Sequence, residues 1–166
     1  MRRIVVLGRG GAGKSTLAAR LGAALDLPVV ELDSVFWPPN LTPLPPAVWA
    51  ACQERLIAPP TWILDGDLGP YDVLAPRLRA ADTVVLLDFS MPRCAWRALR
   101  RGRETWPFWR WLLTYRRRSL PTVTAAIRTH AAGARVHVLR TPHAVAGFLA
   151  AQRIPDAGAR SRRLIR

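Results

Sequence analysis

Lys14 is the only lysine in the chain, and it lies in the pattern Gly8-x-x-x-x-Gly13-Lys14-Ser15. In this pattern the glycines let backbone N–H groups turn inward, the lysine reaches the β and γ phosphates, and the serine hydroxyl ligates Mg²⁺. All other basic side chains are arginines, so a compact ammonium group occurs only here. We call residues 8–15 the glycine loop. We predict that MgATP binds to this loop and to the residue after it, through Gly8, Gly10, Gly11, Ala12, Gly13, Lys14, Ser15 and Thr16.

The residues on either side of the glycine loop favour the same interpretation. Residues 3–7 are a short apolar run typical of a buried strand, and residues 15–22 have the pattern of a helix. A helix that begins at the loop directs the positive end of its dipole towards the phosphates. An ordinary glycine-rich turn would not require this strand, motif and helix in succession.

Further along the chain, short apolar runs alternate with helical patterns. Four more runs predict buried strands, at 28–32, 62–64, 83–88 and 135–139. Helices are predicted at 46–57, 73–80, from 92 onwards and at 142–152, and the prolines between 36 and 43 indicate a loop. Continuous apolar strands that alternate with helices are typical of a parallel sheet covered on both faces. The sequence therefore predicts a three-layer α/β fold.

Carboxylates follow several of these predicted strands. In parallel sheets, ligands bind beyond the carboxyl ends of the strands, where Gly8, Asp33, Asp65 and Asp88 are expected to meet. Asp65 is the first candidate to support Mg²⁺, although an aspartate before a glycine also suits a turn. Asp67 is equally well placed for either role.

Two further acidic residues, Asp33 and Asp88, also lie at or just past the ends of predicted strands. Asp33 can orient or deprotonate an acceptor hydroxyl, or it can cap the turn that precedes Phe36. Asp88 more simply caps the turn at Ser90 and so has a structural role.

A segment rich in arginine and tryptophan covers residues 93–118, in which Glu104 is the only acid. Arg93, Arg97 and Arg100 or Arg101 recur at helical spacing, so one helix face can direct guanidinium groups towards the phosphates. We predict a lid at about 102–118 that contains Arg103, Arg116 and Arg117. The alternatives are a solvated helix face, tryptophans that pack on the sheet, and a groove for nucleic acid.

Length and composition limit the remaining possibilities. The 166 residues suit one domain, at 1–152, followed by a basic tail at 153–166. The net charge of +14 indicates anionic partners, such as nucleotides or nucleic acid, without choosing between them. No apolar stretch suits a signal peptide or a membrane span, and the two cysteines and three histidines lack the spacing of a metal site. We therefore expect a cytoplasmic protein that has no membrane partner.

Several segments in this order resemble the phosphate-loop (P-loop) kinases related to adenylate kinase. The closest resemblance is to a bacterial group labelled DNA topology modulation protein. The segments that carry it are GRGGAGKST at 8–16, ELDSVFWPPN at 31–40, WILDGD at 62–67, RLRAADTVVLLD at 77–88, CAWRALRR at 94–101 and WRWLLTYRRRSLP at 109–121.

The resemblance implies an ATP-dependent phosphotransferase fold with strand order 2-3-1-4-5. It also implies that Asp33 and Arg77 lie on the acceptor side, and that Arg97, Arg101 and Arg116 or Arg117 close over the phosphates. Members of the group read Asp-Gly-Asn-Tyr where this chain has Asp65-Gly66-Asp67-Leu68.

The leading hypothesis is transfer of the γ-phosphoryl group of MgATP to a nucleoside monophosphate, which requires no general base. A small hydroxylated acceptor is the alternative within the same class, and it would need Asp33 as the base. A nucleotide-modulated nucleic-acid binder and a slow ATPase without an acceptor are the other hypotheses.

Overall fold

The fold is built on one parallel sheet of five strands, in the order β2-β3-β1-β4-β5. The structure is a computed structural model, which describes residues 1–37, 44–102 and 106–152. The strands are β1 (Arg3–Gly8), β2 (Val29–Glu31), β3 (Trp62–Asp65), β4 (Thr83–Leu87) and β5 (Arg135–Leu139). The helices are α1 (Lys14–Leu25), α2 (Leu32–Phe36), α3 (Pro46–Ile57), α4 (Ala75–Ala80), α5 (Met91–Arg101), α6 (Trp106–His130) and α7 (Pro142–Ala151).

Helices cover the sheet on both faces, which explains why the central strands are apolar without alternation. One core contains Ile4 and Val6 of β1 packed with residues of α1, α5 and α7. The other contains Val5 and Leu7 packed with α3, α4 and the second half of α6. The predicted three-layer α/β fold and its strand order are confirmed.

The second strand is shorter than the sequence predicts, and a short helix lies between it and the predicted loop. β2 ends at Glu31, and the chain continues directly into the short helix α2. Leu32 and Phe36 are four residues apart, so the helical turn brings both to one side, where they are fully buried beside Trp49. Asp33 therefore lies in the first turn of a helix and not at a strand end.

Most of the segment predicted as a lid belongs to α6, one continuous helix of 25 residues. Pro121 lies inside this helix on an exposed side, where water can bond the carbonyl that the proline nitrogen leaves free. Residues 103–105, which include Arg103, and the tail at 153–166 lie outside the described residues. A lid movement remains a prediction.

Within the described ranges, no helix is both long and apolar enough to cross a membrane.

Candidate active site

The glycine loop connects β1 directly to α1 at the centre of the sheet. Gly11 and Gly13 have φ angles of 75° and 96°, which are left-handed conformations that suit glycine. A side chain at Gly11 would also collide with the carbonyl of Cys94. Gly13 is the N-cap of α1, and no side chain caps this helix. The first N–H groups of α1 are therefore directed at the loop, as an anion-binding site requires.

A cavity of about 690 Å³ opens at the glycine loop. It is lined by residues of the loop and of α1, α2, α5 and α6, together with the segment after β3. They are Gly10, Gly11, Gly13, Lys14, Ser15, Thr16, Asp33, Asp67, Trp96, Arg97, Arg100, Arg101, Phe108 and Trp111. The cavity thus brings the predicted phosphate-binding residues other than Gly8 and Ala12 together with two carboxylates and three arginines.

A second cavity, of about 220 Å³, shares Gly13, Thr16 and Arg97 with the first. Its other lining residues are mostly apolar, namely Ala12, Leu17, Arg20, Leu87, Phe89, Pro142, Val145 and Ala146. The shared residues place an apolar cavity directly beside the glycine loop.

Asp65 lies behind the glycine loop, at the end of β3 and beside Val6 of β1. The residue is 3% exposed, and within the described part of the chain its Oδ1 atom has no hydrogen-bond partner. Burial raises the pKa of Asp65, while a hydrogen bond with Ser15 and the charge of Lys14 oppose this effect. An unpartnered carboxylate oxygen beside a serine hydroxyl fits a role in holding Mg²⁺ or its water ligands, and the ion would neutralise charge on the phosphates.

Replacing Asp65 with asparagine is expected to separate stability from activity. Because the pKa of Asp65 is raised in the folded state, ionisation costs stability as the pH rises through that pKa. We expect Asp65→Asn to unfold at a higher urea concentration than the wild type at pH 7, and to lose this advantage below the ordinary pKa of 3.8. Magnesium-dependent ADP release should fall by about 10- to 100-fold. Lower stability with unchanged ADP release would contradict the assignment.

Asp67 lies at the cavity wall and is 5% exposed. Tyr115 of α6 donates its hydroxyl to Oδ2 at 2.7 Å, and the Gly69 N–H group donates to Oδ1 at 3.1 Å. Burial raises the pKa of Asp67, while Lys14 and the Tyr115 hydrogen bond oppose the rise. The carboxylate is therefore held in one orientation by two donors.

Three of the four arginines of α5 line the cavity, while the guanidinium of Arg93 lies against the ring of Phe89. Arg97 donates from Nη1 to the carbonyl of Ala12 at 3.3 Å, and a side chain at Gly13 would lie within 3.0 Å of both its terminal nitrogens. The guanidinium of Arg100 lies 4.0 Å from the ring centroid of Trp96. Arg101 lines the same cavity. Three guanidinium groups therefore border the space in front of the glycine loop.

The arginines near the middle of α6 do not line the cavity. Arg116 is directed to Asp88, which it contacts at 3.5 Å, and Arg140 contacts the same Oδ2 atom at 3.3 Å. Arg117 is exposed and is not among the lining residues. In the conformation described, Arg116 and Arg117 therefore do not line the cavity, and their closure over the phosphates stays a prediction. Asp88 thus contacts two arginines, whereas the predicted cap of the turn at Ser90 stays a prediction.

Arg77 does not face an acceptor, contrary to the expectation from the sequence. Its side chain is fully buried, and Nη1 and Nη2 bind the two carboxylate oxygens of Asp72 at 2.8 and 2.5 Å. Gln53 accepts a further hydrogen bond from Nη1 at 2.7 Å. With its guanidinium held in this way, Arg77 joins α3 and α4 and is not available to a substrate.

Four residues of the site were not assigned a role from the sequence. Phe108 and Trp111 lie so close to Gly10 that a side chain there would approach both rings within 2.8 Å, and Tyr115 holds Asp67. Arg9 is 2% exposed, its Nε and Nη1 atoms have no partner among the described residues, and its guanidinium lies 5.3 Å from the ring centroid of Tyr115. The spacing 108, 111, 115 is helical and could have identified this face of α6.

Similar folds occur in solved kinase structures. A shikimate kinase from Acinetobacter baumannii matches with a TM-score of 0.57 and 18% identity, over 99% of this chain and 96% of that chain. A gluconokinase from Sinorhizobium meliloti 1021 matches with a TM-score of 0.55 and 19% identity, over 90% and 87%. A deoxyadenosine kinase from M. mycoides matches with a TM-score of 0.54 and 14% identity, over 90% and 98%.

These similarities show that the chain has the fold of the P-loop kinases. No family model matches the sequence. No match was found among curated proteins either.

Proposed function

We propose that the protein is a P-loop kinase that transfers the γ-phosphoryl group of MgATP to a hydroxyl group of a small acceptor. The observation that carries this proposal is the cavity in which Lys14 and Ser15 of the glycine loop face the same space as Asp33 and Asp67. A phosphate site and carboxylates within one cavity provide both of the components that phosphorylation of a hydroxyl requires.

On the donor side, the glycine loop binds the phosphates through backbone N–H groups and Lys14. Ser15 and Asp65 hold Mg²⁺. The apolar cavity beside Gly13 receives the base of the nucleotide, because Leu17, Phe89 and Val145 provide apolar surface next to the loop. The site thus offers a group of suitable chemistry to the phosphates, to Mg²⁺ and to the base.

On the acceptor side, the exposed carboxylate of Asp33 accepts the proton of the acceptor hydroxyl. The acceptor oxygen then forms a bond to the γ phosphorus, and the bond from that phosphorus to the β–γ bridging oxygen breaks. ADP leaves with the electron pair of the broken bond. Arg97 and Arg101 neutralise charge that develops on the transferred oxygens.

The neighbouring folds give this proposal a limited further support. The three solved structures are named as kinases of gluconate, shikimate and deoxyadenosine, all of which carry hydroxyl groups. Sequence identities below 20% do not transfer these substrates to this chain.

A nucleoside monophosphate, the leading acceptor predicted from the sequence, becomes the second candidate, supported by Arg100 and Arg101, which line the cavity and suit an acceptor phosphate. Arg77 is not available to bind the phosphate of such an acceptor, because Asp72 holds its guanidinium group. Such an acceptor also leaves Asp33 and Asp67 without a role, since a phosphate acceptor needs no base and is repelled by carboxylates.

The test is ADP release from MgATP in the presence of hydroxylated compounds and nucleoside monophosphates, with Lys14→Ala as the control. Stimulation by a hydroxylated compound supports the proposal, and stimulation by monophosphates alone supports the second candidate. ADP release that depends on Lys14 but responds to no acceptor would identify an ATPase.

Asp33→Asn is expected to lower the turnover of a hydroxyl acceptor by at least about 100-fold, because the proton acceptor is lost. The KM for MgATP should stay within about twofold, because Asp33 is expected to contact the acceptor. Asp26→Asn is a matched control, since Asp26 is an exposed C-cap of α1 that does not line the cavity. A loss of only a few-fold in Asp33→Asn would contradict the role as base.

A further inference from the structure

Asp67 is the carboxylate of the cavity that the transfer step does not use. We propose that Asp67 is a specificity-determining residue that binds a hydroxyl group of the acceptor and excludes acceptors with a negative charge at that position. The acceptor class is then a neutral polyhydroxylated compound, such as a sugar alcohol, a sugar or a nucleoside. This inference rests on the proposed function and names the substrate class of the same site.

The hydrogen bonds of Asp67 leave it able to bind a ligand. Each carboxylate oxygen has about two acceptor positions. Oδ2 receives one hydrogen bond from Tyr115 and Oδ1 receives one from the Gly69 N–H group. Each oxygen thus keeps acceptor capacity at a residue that lines the cavity, and a hydroxyl group is a donor that can use it.

Tyr115 fixes the direction of this carboxylate. The tyrosine is 1% exposed, its ring lies 5.4 Å from that of Trp111, and the Arg9 guanidinium lies 5.3 Å from the ring centroid. Burial, together with Asp67, raises the pKa of Tyr115 above its usual range, so its hydroxyl remains a donor. A ring enclosed in this way cannot turn away, and Asp67 therefore presents the same lone pairs to each ligand.

The charges around Asp67 favour a neutral acceptor. Asp33 contributes a second carboxylate to the cavity. Of the arginines that line it, Arg97 and Arg101 are assigned to the transferred phosphoryl group, and Arg100 lies against the ring of Trp96. The nearby Arg77 is already held by Asp72. Lys14 lies near Asp67, but the phosphates of the donor engage its ammonium when MgATP is bound. An acceptor anion close to Asp67 would therefore meet like charge in a partly enclosed site.

The aromatic side chains of α6 suit the same class of ligand. Phe108 and Trp111 line the cavity together with Asp67, so a carboxylate and apolar ring faces border one space. A sugar or nucleoside offers both hydroxyl groups and an apolar face, and can bind to these two surfaces at once.

The experiment compares acceptors that differ mainly in charge. ADP release from MgATP is measured with sorbitol against gluconate and with deoxyadenosine against deoxyadenosine 3′-phosphate, which keeps the free 5′-hydroxyl group. We expect the neutral member of at least one pair to have a kcat/KM at least about tenfold higher, because an anion is repelled by Asp67. We expect Asp67→Asn to raise the acceptor KM by at least about tenfold while the KM for MgATP changes by less than about twofold.

Tyr115→Phe tests the positioning role by removing the hydroxyl that donates to Oδ2 while the carboxyl group of Asp67 stays in place. It should raise the acceptor KM by about 3- to 10-fold, because Asp67 loses a donor but remains present. Tyr71→Phe is the matched control: Tyr71 is the only other tyrosine, is 51% exposed, packs with Phe36 and Trp37 and is not among the lining residues. Its acceptor KM should equal that of the wild type.

The outcomes distinguish this inference from the proposed function. If no compound stimulates ADP release, the proposed function fails and the inference fails with it. If the anionic members are preferred, or if Asp67→Asn and Tyr115→Phe leave the acceptor KM unchanged, the inference is overturned while the kinase assignment stands. Should Asp67→Asn fail to fold, the KM values of Tyr115→Phe decide the question.

Discussion

Asp72→Asn is expected to destabilise the folded protein by about 3–5 kcal/mol, because it leaves the buried guanidinium of Arg77 without its counter-charge. The two side chains are 0% and 2% exposed and are joined by two hydrogen bonds. Asp72 also accepts hydrogen bonds from the Leu68 N–H group and the Trp49 indole. The measurement is the free energy of unfolding in urea at pH 7 for the variant and the wild type.

A double variant provides the control for this prediction. Asp72→Asn combined with Arg77→Met removes both charges, and most of the lost stability should return because no unpaired charge stays buried. Destabilisation in the double variant that equals the sum of the two single variants would contradict the account.

The pH dependence of the same pair has a definite sign. Burial alone would raise the pKa of Asp72, but Arg77 and the hydrogen bonds outweigh it and hold the pKa below the ordinary value of 3.8. A lowered pKa in the folded state means that the stabilisation is present above that value and is lost as the pH falls through the folded-state pKa. The difference in the free energy of unfolding between the wild type and Asp72→Asn should therefore narrow only in acid, as the pH falls through the folded-state pKa of Asp72.

Lys14→Ala is expected to lower phosphoryl transfer by about 100- to 1000-fold, because the ammonium that stabilises the developing charge on the phosphates is removed. Lys14→Arg keeps the positive charge but places a planar guanidinium where the loop holds a compact group. We expect it to restore less than a tenth of the lost activity. Both rates are measured as ADP release with saturating MgATP.

The free energy of unfolding shows whether the Lys14 variants lose activity because of the missing ammonium group or because they unfold. Lys14 lines the open cavity and is not among the buried residues, so neither substitution should lower the free energy of unfolding by more than about 1 kcal/mol. ADP release by folded Lys14→Ala at more than about a tenth of the wild-type rate would contradict the role of the lysine.

The glycine loop and the sheet could be predicted from the sequence because their signals are local. A full phosphate-binding motif between an apolar run and a helical pattern requires no knowledge of distant residues. The strand order was predicted from a resemblance over most of the chain and is confirmed.

The region of Asp33 was harder to predict because two local signals compete. Residues 28–32 contain two adjacent β-branched valines in a short, mostly apolar run, whereas the helical turn at 32–36 is indicated only by Leu32 and Phe36. Burial of both side chains beside Trp49 decides in favour of the helix, and Trp49 belongs to a different element. Tertiary packing thus overrides the local preference.

The contacts of Arg77 and Asp67 could not be derived from local pattern. An arginine at a helix position can serve a substrate or a neighbour, and only the fold shows that Asp72 and Gln53 surround Arg77. Tyr115 is 48 residues from Asp67 in the chain, and the pair forms because α6 packs against the segment that follows β3. Such pairs depend on the tertiary arrangement, which single-sequence patterns do not describe.

The central claim, that the glycine loop binds the phosphates of MgATP through Lys14, can be tested with a label at that residue. Because Lys14 is the only lysine, protein grown with ¹³C,¹⁵N-lysine gives the side-chain signals of this one residue in an NMR spectrum. We expect MgATP to shift the Cε and Nζ signals of Lys14 in a saturable titration. Folded protein whose lysine signals stay unchanged at millimolar MgATP would contradict the central claim.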